Sequence, residues 1–294
     1  MRPSPRALAI AAALTGAAAY GLNIPAAKIA SDMGVAPLAL IVLRSAAMIA
    51  GMAVAAPMFG QPLHPGKSGI APLAGLGLAT AVTGIGYLSS LAFLPVSLAV
   101  VIFYSFPLWL ILIAWFRDGR ISAPRLGGFA LAFCGIVMVV SPGSAAVDWR
   151  GAALALTASV AAALMFELTP LVKLDRYRKI LWAQAPSLLL AAMAMTVVGV
   201  PVSLTAFQAA AWPVLITCLG FYIGFALQII ATPFLSPAAA GLLFLLEPVV
   251  AISASVLWLG EAMTPLKLAG MLLVLAGLTL DVAAGAAQRR GRSP

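Results

Sequence analysis

Two stretches of 32 residues contain two prolines and a glycine at the same spacing. Residues 94–125 read LPVSLAVVIFYSFPLWLILIAWFRDGRISAPR, and residues 235–266 read LSPAAAGLLFLLEPVVAISASVLWLGEAMTPL. A shift of 141 residues aligns two prolines and a glycine of the first stretch with the same residue types in the second: Pro107 with Pro248, Gly119 with Gly260, and Pro124 with Pro265. Each stretch contains an apolar run of the length that a membrane-crossing helix needs, about 20 residues. The pattern predicts a chain of two related halves.

The composition of the whole chain excludes a soluble protein. Of its 294 residues, 63% are hydrophobic and 9% are charged, and the mean hydropathy is +1.10. Soluble domains carry about 25% charged residues, and disordered chains have low hydrophobicity. Apolar runs such as 38–59 lack the alternation of a transmembrane barrel strand. We therefore predict an all-α polytopic membrane protein.

Apolar runs between prolines, glycines and charged residues divide the chain into ten predicted spans. They lie near residues 7–29, 37–58, 70–93, 95–116, 123–141, 151–170, 180–200, 210–232, 237–259 and 265–284. Because each half contains five spans, an odd number, the second half enters the membrane from the opposite side. We expect two five-helix inverted repeats, at residues 1–143 and 144–294, with the substrate site between them near the midplane.

Lysine and arginine residues orient the predicted bundle. With a cytoplasmic N-terminus, thirteen of them fall in inside segments and three in outside segments. This bias fits the positive-inside rule and places both termini in the cytoplasm, with the protein in the cell (inner) membrane. The alternative is a cleaved signal peptide, because Arg2 and Arg6 precede an apolar run and Ala17–Ala19 offers a small-residue cleavage site. Cleavage would leave nine spans and disrupt the repeat.

Polar residues within spans are candidate site residues, because they are costly unless they face a bundle interior or a watery cavity. Phenol rings suit an organic solute that has an apolar body and a polar end. We expect a central cavity lined mainly by the first, third, fourth, sixth, eighth and ninth spans. The residues expected to border it are Tyr20, Asn23, Tyr87, Tyr104, Tyr222 and Gln228.

Three charged residues within the predicted spans, Glu247, Arg44 and Glu167, each allow more than one role. Glu247 lies about 15 Å into the ninth span and directly precedes Pro248. It could couple transport to protons or hold a substrate ammonium group; alternatively, it bonds backbone groups released by Pro248 or pairs with Arg44. Arg44 and Glu167 lie nearer to span ends, so their side chains could reach the membrane interface.

Several motifs together resemble the drug/metabolite transporter superfamily, specifically its ten-span type built from two EamA domains. The resemblance covers residues 7 to 284. It is carried by Tyr20–Lys28, by Pro37 with Arg44, by Pro95–Ala99, by Leu246–Ala251 and by Leu259–Glu261 with Gly270. Bacterial relatives of this shape include exporters of amino acids, aromatic ones among them. The resemblance also adds Phe166 to the expected cavity, since it lies close to the position that corresponds to Tyr20.

We therefore expect a secondary transporter that exports small organic solutes, foremost amino acids including aromatic ones, by alternating access. Other metabolites and aromatic cations or drugs are alternative substrates. An intramembrane enzyme or a channel would be a different class, but neither clustered catalytic groups nor a filter motif is visible in the sequence. No metal-ligand spacing or ATP-binding motif is present. We expect no cofactor and no nucleic-acid partner, only a small-molecule substrate and the lipid bilayer, and a monomer is plausible.

Overall fold

The computed structural model describes residues 4–66, 70–90, 93–94, 96–119, 123–140, 147–260 and 262–290. Within these ranges the chain forms α-helices and single 3-10 turns, without β-strands. The predicted boundary between the halves, at residues 143 and 144, lies outside the described residues, as do the motif residues Pro95 and Glu261.

The helices follow the predicted spans closely, except that two spans are each split. They are α1 (Pro5–Asp32), α2 (Pro37–Met58), α3 (Ile70–Ser90), α4 (Val96–Phe103), α5 (Phe106–Asp118), α6 (Ala123–Val140), α7 (Trp149–Leu168), α8 (Arg176–Val198), α9 (Leu204–Ala209), α10 (Ala211–Ala231), α11 (Pro237–Leu243), α12 (Leu246–Leu259) and α13 (Pro265–Arg290). The 3-10 turns Thr169–Leu171 and Thr232–Phe234 follow α7 and α10. The short helix α9 lies between the seventh and eighth predicted spans.

Eight segments of the described chain are long and apolar enough to cross a membrane. They are Pro5–Asp32, Pro37–Met58, Ile70–Ser90, Leu98–Asp118, Trp149–Leu171, Arg176–Val198, Ala211–Phe234 and Pro237–Leu259. The remaining two predicted spans form shorter apolar helices, at Ala123–Val139 and Pro265–Leu280. The chain is therefore an all-helical, multi-pass membrane protein.

The two split spans show that both halves are built alike. The fourth span is interrupted between α4 and α5, at residues 104–105, and the ninth between α11 and α12, at residues 244–245. In both, a proline stands in the first turn of the second helix, where its missing N–H is tolerated. Both second helices end at a left-handed glycine, Gly119 with φ 65° and Gly260 with φ 67°. These features recur at, or within a residue of, the offset of 141 residues.

Helices pack mainly across the two halves. Helix α1 packs against α10 and α3 against α7, which are equivalent pairs in the two halves, while α2 packs against α8 and α6 against α13. In the last pair, Gly135 of α6 approaches Gly270, and Gly277 approaches Gly128. Since Gly128 and Gly135 correspond to Gly270 and Gly277 in the repeat, the contact is reciprocal and the two helices run antiparallel. This is the geometry of an inverted repeat.

The contact between α6 and α13 predicts a strong effect of a single added methyl group. A Cβ atom at Gly135 would lie 2.4 Å from the carbonyl oxygen of Gly270, so Gly135→Ala must separate two backbones. We expect it to lower the free energy of unfolding by about 1–3 kcal/mol, measured by unfolding in detergent micelles. Gly127→Ala is the matched control in the same helix, because its Cβ would meet only Leu280, at 3.7 Å. Equal stabilities of the two variants would contradict the backbone contact.

Candidate functional site

A cavity of about 290 Å³ lies between the two halves. Its walls come from α1, α2, α3, α7, α8 and α10 and from both split spans. Its volume is near the lower end of the range for ligand pockets, which suits a small organic molecule. The wall is mostly apolar, with separate polar groups on several helices.

Seven of the eight residues proposed from the sequence line this cavity. They are Tyr20, Asn23, Tyr87, Tyr104, Phe166, Gln228 and Glu247. Tyr20 and Gln228 also contact each other, because the Tyr20 hydroxyl donates a hydrogen bond to Oε1 of Gln228 at 3.2 Å. This bond joins α1 to α10, where glycines at 220 and 224 let the helices approach closely.

Tyr222, the eighth of these residues, is not among the side chains that line the cavity. Its ring packs against α2, where a Cβ atom at Gly51 would lie 3.2 Å from the Tyr222 hydroxyl oxygen. Successive residues of a helix point about 100° apart, and the neighbouring residue Phe221 is the one that lines the cavity. The presence of a tyrosine within a span therefore does not show which face of the helix it lies on, or whether that face borders the cavity.

The second and seventh spans also line the cavity, which the sequence analysis did not predict. They contribute Arg44 and Ser45 from α2, and Gln184 and Ser187 from α8. The Ser45 hydroxyl donates to Oε1 of Gln184 at 3.2 Å and thereby joins these helices. A signal existed in the sequence, since Gln184 and Ser187 flank an in-span proline as Asn23 flanks Pro25. The position of Arg44 in its span would allow its side chain to reach the membrane interface, but its guanidinium lies over the ring of Phe221.

Aromatic rings surround the cavity in one continuous series of contacts. Neighbouring ring centroids are 4.9 to 6.3 Å apart, the spacing of favourable aromatic pairs. In order of contact, the rings are Tyr87, Phe103, Tyr104, Phe106, Phe166, Phe244, Tyr20 and Phe221. Four of them lie at or beside the interruptions of the split spans, so the interruptions bring the aromatic side chains into the site.

Buried polar atoms without a hydrogen-bond partner are concentrated at this cavity. Nine side chains of the described residues carry such an atom, and seven of the nine line the cavity. The seven atoms are Asn23 Oδ1, Arg44 Nε, Tyr104 OH, Gln184 Nε2, Ser187 Oγ, Thr217 Oγ1 and Gln228 Nε2. Buried polar groups in native proteins are nearly always paired, so this set is suited to binding a polar ligand.

Glu247 stands in the first turn of α12, at the interruption of the ninth span. It is partly buried and lines the cavity, as the Tyr104 phenol does. Among the described residues it forms no ion pair with Arg44, which was one of the two structural alternatives. The repeat places Phe106 at the equivalent position of the first half, so the carboxyl makes the two halves chemically different.

In the described part of the chain, the lining of the cavity reaches exposed residues at one end of the bundle. Its lining includes Lys28 and Pro37, which are exposed where α1 ends and α2 begins. At the other end, Nζ of Lys179 donates to the carbonyl oxygen of Thr169 at 3.0 Å, and Nε1 of Trp182 donates to the carbonyl oxygen of Leu63 at 2.9 Å. These bonds join the ends of α7, α8 and the segment after α2. We call the first end the mouth and the second the closed end.

The side chains of the lining determine which kinds of solute the cavity can recognise. In the described part of the chain, no group of three or more His, Cys, Asp or Glu side chains is placed to hold a metal ion. The cavity combines aromatic surface, amide and hydroxyl groups, one guanidinium and one carboxylate. Such a lining complements a small solute with an apolar body and charged or polar ends.

Known proteins resemble this chain in two ways: a family model matches its sequence, and a solved structure has a similar fold. The model of the EamA-like transporter family matches the chain twice, over residues 7–141 and 149–282. A solved structure described as "Crystal structure of protein" is similar, with a TM-score of 0.78 and 18% sequence identity. The alignment covers 96% of this chain and 99% of the other; at this identity it supports the fold alone. No curated protein matches the chain.

Proposed function

This chain belongs to the EamA-like transporter family, and we propose that it is a secondary transporter of small organic solutes, foremost amino acids including aromatic ones. The observation that carries the proposal is the lining of the central cavity. A series of eight contacting aromatic rings lies beside unpartnered buried polar atoms. An aromatic amino acid offers the ring, the hydrogen-bonding groups and the two charges that such a lining complements.

We propose that the site residues are Tyr20, Asn23, Tyr87, Tyr104, Phe166, Gln228 and Glu247, all of which line the cavity. Two of them, Glu247 and Tyr104, lie at the interruptions of the split spans. Discontinuous helices at the interface of inverted repeats are the usual location of substrate sites in secondary transporters. Tyr222 is not part of this set, because its ring packs against Gly51.

The proposed arrangement in the membrane has ten spans, with the shorter helices α6 and α13 as the fifth and tenth. Lysines and arginines favour cytoplasmic termini in the cell (inner) membrane. The mouth, between α1 and α2, then faces the outside, and the closed end faces the cytoplasm. Export by alternating access would open the closed end to load substrate and return to the present arrangement to release it.

The alternatives to a transporter are two other functional classes, an intramembrane enzyme and a channel. An enzyme would need catalytic groups near one interface, whereas the polar groups here are spread around a mid-membrane cavity. A channel would need a path open at both ends, whereas hydrogen bonds join the helices at the closed end.

The first functional prediction is saturable counterflow. Purified protein in proteoliposomes preloaded with unlabelled phenylalanine should accumulate external radiolabelled phenylalanine transiently and saturably, because a carrier exchanges solute across one alternating site. A panel of amino acids and aromatic cations identifies the preferred class. Non-saturable flux without counterflow would indicate a channel, and consumption of the solute would indicate an enzyme; either result would refute the transporter proposal.

The second prediction concerns Glu247 and proton coupling. A carboxyl whose access to water changes during transport links proton binding to substrate binding, and each then alters the affinity of the other by the same factor. Glu247→Gln keeps the shape and removes the charge, so it should flatten the pH dependence of counterflow while the protein still folds and inserts. Glu167→Gln is the matched control, since Glu167 pairs with Arg117 away from the cavity and should retain the wild-type profile. An unchanged profile in Glu247→Gln would make Glu247 structural.

A further inference from the structure

Three charged side chains line the cavity, and one of them already has a partner. Lys28, near the mouth, forms an ion pair with Asp32 one turn further along α1. Arg44 and Glu247 form no ion pair with each other or with another described residue. A charged group in apolar surroundings is costly unless it is paired. Arg44 and Glu247 are therefore each suited to a ligand group of opposite charge.

The guanidinium of Arg44 is held with its donors available. Its central carbon Cζ lies 3.9 Å from the centroid of the Phe221 ring. A guanidinium over an aromatic ring uses its face for the cation–π contact, while its N–H groups extend from its edges. Nε is buried without an acceptor. Nη2 packs beside Gly84 of α3, where an added Cβ atom would lie 3.5 Å from it.

We infer that Arg44 binds the carboxylate of the transported solute and that Glu247 binds its ammonium group. The inference rests on the proposed transport of amino acids and deepens it, because it makes the substrate a zwitterion rather than an aromatic cation. The planar edge of a guanidinium matches a carboxylate through two parallel N–H···O bonds. A cation without a carboxylate would satisfy Glu247 and leave Arg44 unpaired.

Arg44 and Glu247 line the same cavity, which therefore offers its ligand a charged group of each sign. Arg44 is about 10 Å along α2 from the mouth, and Glu247 lies at the interruption of the ninth span. Tyr20 lines the same cavity and is one of the aromatic rings of the lining. The rings of Phe106, Phe166 and Phe244 contact one another in series and provide the surface for an apolar side chain.

The test compares two ligands that differ only at the carboxylate. Binding of phenylalanine and of phenylalaninamide is measured calorimetrically on the purified full-length protein, as wild type and as Arg44→Gln. The wild type should bind phenylalanine about 10- to 100-fold more tightly, the ratio expected for charge-assisted hydrogen bonds to one carboxylate. Arg44→Gln should bring the ratio close to one by weakening phenylalanine alone. Arg117→Gln, which removes an arginine outside the cavity, should retain the wild-type ratio.

Other results of these binding measurements would overturn either the role of Arg44 or the proposed function as a whole. Equal affinities of the wild type for both ligands, or an unchanged ratio in Arg44→Gln, would overturn the role of Arg44 while leaving amino-acid transport intact. If the wild type binds and exchanges no amino acid, the proposed function and this inference both fail. Should Arg44→Gln not fold, Arg44→Lys takes its place: it keeps the charge but not the planar pair of donors, so the ratio should fall between those of the wild type and one. A wild-type ratio in Arg44→Lys would overturn the bidentate contact.

Discussion

Close approach of helix backbones from opposite halves holds this bundle together. Lipid tails are as apolar as leucine, so transmembrane helices associate through packing and hydrogen bonds rather than through the hydrophobic effect. Glycines supply that packing where α6 meets α13 and where α10 meets α1. Because these contacts join the halves, the space left between the helices becomes a cavity shared by both, and its lining depends on their register.

Interruption of the fourth and ninth spans gives this shared cavity its chemistry. Both spans are interrupted partway along their length, and a proline stands in the first turn of each resumed helix. Phe103, Tyr104, Phe106 and Phe244 are consequently brought into one series of aromatic contacts with rings from α1, α3, α7 and α10. The halves share their backbone design but differ in side chains at the interruptions, where the first has Tyr104 and Phe106 and the second has Leu245 and Glu247. The repeat thus provides the architecture, and these side chains make the two halves chemically different.

Much of the fold was predictable from the sequence, because apolar run lengths and proline positions are local properties. The interruption near Tyr104 follows from Pro107, and the repeat follows from glycines and prolines at a constant offset. Depth within a span also identified Tyr104 and Glu247, since a polar side chain at mid-membrane must face the interior. The helical face was harder to predict. Tyr222 differs from Phe221 by one residue but points to Gly51, and Arg44 stacks on Phe221 because a neighbouring helix supplies that ring. Such contacts depend on tertiary packing, which spacing along one helix does not encode.

The central claim is that one cavity between the halves binds the transported solute through its aromatic lining and two unpaired charges. A structure of the protein determined with saturating phenylalanine tests it most directly. The account predicts ligand density within this cavity, with the carboxylate at Arg44, the ammonium group at Glu247 and the ring among Phe106, Phe166 and Phe244. Phenylalanine bound at another place, or an empty cavity at a concentration that saturates transport, would contradict it.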